Sequence, residues 1–159
     1  MELTQYRYFR LKRIIRNCKI LCISSNPFDI CKILGIKVHY STIKDSLFGF
    51  SEAHCTENSA EINANIFISS STSSYAQKII CAHELGHILL QKNQSLNLVD
   101  SDNPGDSIYE YEANIFAIEL LPHIYRGAKD YRNLSKEELY DYILNKLNYT
   151  FFTFNPHEI

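Results

Sequence analysis

The chain has no tryptophan, one methionine, five glycines and four prolines among its 159 residues. So little glycine and proline excludes a collagen-like repeat or a low-complexity linker. No apolar stretch approaches the roughly 18 residues that a membrane-spanning helix needs, so no membrane partner is expected. The basic N-terminus is not followed by an apolar segment with a small-residue cleavage site, so no secretory signal is read there. Cysteine is present without a framework: Cys18, Cys22, Cys31, Cys55 and Cys81 are odd in number and irregularly spaced. Free thiols in a reducing cytoplasm are the expectation. Cys18 and Cys22 stand four apart on an expected helix, but no second pair of ligands accompanies them, and a structural role is assigned to both.

With 45% hydrophobic residues and a net charge of −2, the chain reads as one domain over 1–159, long enough to bury a core. That net charge argues neither for nor against a polyanionic partner. Its distribution says more. Residues 1–19 hold six cations (Arg7, Arg10, Lys12, Arg13, Arg16, Lys19) against one Glu, whereas 93–125 hold six acids (Asp100, Asp102, Asp106, Glu110, Glu112, Glu119) and no cation. Both clusters are expected to be solvated, the acids in a loop and the cations on a helix face; without a helix-turn-helix pattern, no direct nucleic-acid partner is expected.

The most specific stretch is His83-Glu84-Leu85-Gly86-His87, inside a helix expected over Tyr75–Gln91. Residues four apart stand one above the other at about 6 Å, so His83 and His87 face the same way and can share one metal ion. Zinc accepts neutral imidazole nitrogens and, in hydrolytic sites, keeps one position for water. Glu84 lies about 100° from His83 and about 60° from His87 around the helix, which lets its carboxylate reach that water as a base without being a ligand. Around the motif, Ile79, Ile80, Cys81, Ala82, Leu85, Ile88, Leu89 and Leu90 leave no polar face, the pattern of an interior helix. Two imidazoles and a carboxylate buried there need partners, and a metal satisfies all three together.

Along the chain, residues 4–22 read as a helix with Leu11, Ile14, Ile15, Cys18 and Leu21 on its apolar side. Asn26 and Pro27 cap a short helix over Phe28–Leu34 that Gly35 ends. Strands are expected at Ile36–Tyr40, Leu47–Thr56 and Ile62–Ser69, the last two joined by a turn at Glu57–Ala60. Phe48, Phe50, Ile62, Ile66 and Ile68 are expected to form their inner face against the metal helix, with an edge open to an extended peptide. His54 on the second strand is read as exposed. The Ser/Thr cluster 69–74 offers N-caps for the metal helix, and 92–106 reads as a polar loop. Two more helices follow: Ser107–Leu121, stopped by Pro122, and 135–147, opened by a Ser135/Glu138 capping box. The fold class is therefore α+β: a small mixed three-stranded sheet on a buried helix, with further helices around it.

A catalytic zinc needs a third protein ligand, and Glu110 is the candidate, four residues before Asn114, whose amide could steady a ligand histidine. Two alternatives stand: Ser107 to Glu110 has capping-box spacing, and Glu112, about 200° away on the helix, could be the ligand instead.

The series NPFDICKILGIKVHY, IFIS, CAHELGHILL and EYEANIFAIELLP resembles the ImmA/IrrE metallopeptidases over residues 26–122. That resemblance implies a gluzincin-like fold, with His83, His87 and Glu110 as zinc ligands, Glu84 as catalytic base and Asn114 as the supporting neighbour. The same ligands accept manganese or another divalent ion. It further implies a zinc endopeptidase that cleaves a cytoplasmic helix-turn-helix repressor, as an anti-repressor of a phage or mobile element. The alternative is a catalytically silent, metal-containing module that sequesters a regulator or toxin partner. Where many relatives carry Met before the proline of the second helix, this chain has Leu121, a change of packing rather than chemistry. His123, Tyr109, Tyr111 and Tyr125 are the nearby donors for the oxyanion of a peptidase.

Overall fold

Local signals choose the ends of the helices in a computed structural model that describes residues 3–42, 48–54, 62–91 and 108–152. Thr4 caps helix α1 (Gln5–Cys22) by accepting from the Arg7 backbone N–H. Asn26 caps α2 (Pro27–Leu34), and Gly35 ends it at φ 74°, a left-handed turn that releases its N–H to Cys31 and Lys32 carbonyls. From the cluster 69–74, Ser73 caps α3 (Ser74–Gln91), its hydroxyl accepting from Ala76 N–H at 3.1 Å. The capping box before α5 (Lys136–Phe152) is closed both ways, Glu138 N–H to Ser135 at 3.1 Å and Ser135 N–H to Glu138 at 2.8 Å. That helix runs past the expected end at Leu147, since no glycine or proline follows before Phe152. Helix α4 (Ile108–Leu120) stops before Pro122 as expected. The turn at 57–60, Cys55, Ser107 with its capping-box alternative, and Asp100, Asp102 and Asp106 lie outside the described residues.

The sheet is mixed, with β1 (Lys37–Ser41) parallel and β2 (Gly49–His54) antiparallel to the central β3 (Asn63–Ser69). Ala64, Ile66 and Ile68 of β3 point into the core. Phe50 does not join them. It pairs with Phe67 on the outer face, 41% exposed, in a row of rings with His39 that crosses all three strands at centroid distances of 4.6 and 4.9 Å. The reason is the position before it. Gly49 faces α3 so closely that a Cβ there would lie 2.4 Å from Ile80 Cγ2, leaving no room for a large side chain on that face. Strand alternation then turns Phe50 outward.

Helix α3 touches every other helix as well as β2 and β3, and it is buried as its all-round apolar sequence requires. Its contact with α4 is close because of Gly86, where a Cβ would stand 3.0 to 3.2 Å from Phe116. Gly86→Val is therefore expected to destabilise the protein by about 1–3 kcal/mol through overpacking, even though valine suits a helix better than glycine. Chemical denaturation measures this, and an unchanged midpoint would mean that α4 moves aside freely.

Part of the charge segregation is an internal match. From α1, Arg7 pairs with Glu112 at 3.1 Å and Lys12 with Glu119 at 2.6 Å, while Arg10 donates to Leu90 O at 2.5 Å and Lys19 to Glu119 O at 3.3 Å. Tyr8 and Tyr131 also donate to Glu119. These cations and acids are thus not simply solvated, as expected from sequence; they lock α1 onto α3 and α4. Cys18, Cys22, Cys31 and Cys81 are buried free thiols. Burial pushes Cys18 up to about 11, which suits packing rather than metal binding. Among the described residues, no helix is long and apolar enough to cross a membrane.

Candidate metal centre

Two helices build the site. α3 presents His83 and His87 one turn apart, and the first turn of α4 brings Glu110 across to them. The two histidine Nε2 atoms are 3.0 Å apart, and Glu110 places Oε2 at 3.2 Å from His83 Nε2 and Oε1 at 3.0 Å from His87 Nε2. Among the described residues, these three form the one group of His, Cys, Asp and Glu whose ligand atoms converge, all within 4.8 Å. The donor set suits a metal. An ion bonded at about 2.0–2.1 Å in tetrahedral geometry sets its ligand atoms about 3.3 Å apart, close to the separations seen.

The electrostatics are those of a site built around positive charge. Burial would raise the Glu110 pKa, yet hydrogen bonds from His83 and His87, and their charges, hold the carboxyl well below its usual range. Burial likewise opposes charge on His83, but Glu110, Glu84 and Asn114 outweigh it and raise its pKa. A divalent cation would take the place of the proton that the raised pKa of His83 favours.

Glu84 is 8% exposed and its Cγ lies beside the start of β2, where a Cβ on Gly49 would come within 3.9 Å of it. Asn114 is buried beside His83 and its amide helps to raise the His83 pKa, although neither amide atom nor His83 Nδ1 stands in ordinary hydrogen-bond geometry here. The three atoms are complementary in kind, since the amide carries both an acceptor and a donor for a ring nitrogen. Glu112, the rival ligand, is turned onto Arg7 instead. Gln91 stands beside the site in addition to the residues expected from the sequence. Its buried amide lies 2.9 Å from His87 Nδ1, and the spacing His83, His87, Gln91 on one helical stripe was the available signal.

Of the oxyanion candidates, two are engaged elsewhere. Tyr111 donates to Leu134 O at 3.1 Å and Tyr125 to Lys129 O at 2.9 Å. His123 packs its ring against that of Tyr75, in the first turn of α3. Tyr109 adjoins Glu110 in the first turn of α4. The side chain of His54 lies outside the described residues.

Comparison with known proteins adds a family. A model described as a peptidase family, IrrE N-terminal-like domain, matches residues 31–146, well over half of the chain and beyond the 122 reached by sequence motifs, into α5. Among curated proteins the chain is similar to "Uncharacterized immunity region protein 2" of Bacillus phage phi105, 29% identical over 119 residues. The alignment covers 70% of this chain and 65% of that protein, so the chain spans less than two thirds of its relative. No solved structure gives a significant match.

Proposed function

The chain belongs to the peptidase family of IrrE N-terminal-like domains, and from that premise we propose that it is a zinc-dependent endopeptidase acting on a cytoplasmic helix-turn-helix repressor. The convergence of His83, His87 and Glu110 on one point carries the reading. His83 and His87 would hold the ion through Nε2 and Glu110 through its carboxylate, with Asn114 steadying His83. Bound zinc supplies Lewis acidity and lowers the pKa of water to about 7. Glu84 accepts the proton of the attacking water on its carboxylate and returns it to the amine that leaves the cleaved peptide bond. Burial shields Glu84 from competing solvent.

The edge of β2 turned away from β3 is unpaired among the described residues and runs past Glu84 at Gly49. An extended peptide added there in β pairing would lay its main chain beside the base. The phage relative is named for an immunity region, which is in keeping with a target in immunity control. The engagement of Arg7, Arg10, Lys12 and Lys19 inside the fold favours a protein substrate over DNA.

The test is direct. Zinc-loaded protein incubated with the helix-turn-helix repressor encoded beside it is expected to give discrete fragments, and a chelator is expected to stop their appearance. A repressor left intact by protein carrying stoichiometric zinc would overturn the proposed activity.

A further inference from the structure

We infer that Gln91 is a positioning residue for the metal centre, holding the His87 ring in the tautomer and orientation that offers Nε2 to the ion. This deepens the metal-centre reading and rests on it. Gln91 sits one turn beyond His87 on the last turn of α3, is 3% exposed, and turns its amide onto His87 Nδ1 at 2.9 Å. Burying so flexible a side chain costs rotamer entropy before any desolvation. At a position that needed packing alone, leucine would avoid the desolvation. The amide instead meets the nitrogen of His87 that the site leaves over.

The chemistry fixes which end of the amide is needed. A histidine that gives Nε2 to a metal carries its proton on Nδ1, and that N–H requires an acceptor. In the structure the amide nitrogen faces Nδ1, and Nε2 faces Glu110. A half-turn of the amide puts its oxygen against Nδ1–H, the arrangement that releases Nε2 for the ion. Glutamine serves both states because it carries a donor and an acceptor on one plane.

The surroundings keep Gln91 in place. Arg10 of α1 donates to the carbonyl of the preceding residue, Leu90, at 2.5 Å, pinning the end of α3 that would otherwise be free to unwind. His83 and His87 are thereby served differently: Asn114 on the neighbouring helix for one, Gln91 on the same helix for the other.

The experiment compares the full-length wild type with Gln91→Met, which keeps length and loses the amide, and Gln91→Glu, which keeps only acceptors. Zinc affinity is measured by chelator competition, with thermal melts as the check on folding. Gln91→Met is expected to bind zinc about 10–100-fold more weakly, as loss of a group supporting a ligand does, and Gln91→Glu to stay close to wild type. Nitrogen-15 spectra of the zinc-loaded proteins are expected to show a protected His87 Nδ1–H in wild type and Gln91→Glu, and its loss in Gln91→Met. Wild-type affinity in Gln91→Met, or equal weakening in both variants, would overturn the assignment. If Gln91→Met fails to fold, tenfold weakening in a folded Gln91→Glu does so by itself. A wild type that takes up no zinc at all would instead bring down the metal-centre reading on which this one stands.

Discussion

Glu84→Gln is expected to keep its zinc and lose its peptidase activity, with kcat/KM falling by about 10²–10⁴-fold. The exchange changes one oxygen for an amide nitrogen of nearly equal size, so a residue that is 8% exposed and lies against β2 keeps its packing. It also leaves the ligand set alone, because the converging atoms belong to His83, His87 and Glu110. What disappears is the capacity to take a proton from water and pass it to a departing amine. Metal content by elemental analysis, the melting temperature and the cleavage rate need to be read on the same preparation. Normal metal and stability with lost turnover identify a base; lost metal would identify a ligand or a structural group. Turnover that persists in a metal-replete Glu84→Gln protein would remove the assigned base. An anti-repressor effect that survives the exchange, with a stoichiometric complex in place of fragments, would point to sequestration rather than cleavage.

The parts of the fold that were readable in the sequence are those fixed within a turn or two of chain. The cap at Asn26, the stop at Gly35, the box at Ser135 and Glu138 and the all-round apolar face of α3 each depend on neighbours a few residues away. The convergence of Glu110 on the two histidines was also anticipated, but through the resemblance: spacing alone left Glu112 and a capping role open. Phe50 takes the side of the sheet opposite to expectation because period-two alternation gives which residues share a face, and only the close approach of α3 at Gly49 decides which face is inside. The cations paired with Glu112 and Glu119 come from α1, about a hundred residues earlier, and no local pattern reports them. Gln91 was hidden for another reason: a polar residue at a helix end has a ready explanation in solvation, and only its burial beside His87 removes that explanation.

The pair Glu110 and Glu112 separates chemistry from architecture, since two carboxylates on one helix are directed to different neighbours. Glu110→Gln is expected to weaken zinc binding by more than about 100-fold, beyond the loss typical of a group that merely supports a ligand, because it removes both a ligand and a negative charge from a dication site. Glu112→Gln is expected to leave zinc affinity unchanged. Its effect on stability follows from the sign of its pKa shift. Burial raises the Glu112 pKa more than Arg7, Arg10 and His87 lower it, so the folded protein holds this proton more tightly than the unfolded chain does. The ionised carboxylate therefore opposes folding at neutral pH, and that opposition lifts as the pH falls through the raised folded value. A neutral amide escapes it while still offering Arg7 an oxygen, and Arg7 is 34% exposed, so water shares its charge. The net change is expected to be within about 1 kcal/mol, in keeping with the weak contribution of partly solvated ion pairs. Chelator competition and denaturation of both variants across pH provide the measurement. Zinc retained by Glu110→Gln and lost from Glu112→Gln would reverse the roles of the two carboxylates and with them the placement of the metal between α3 and α4.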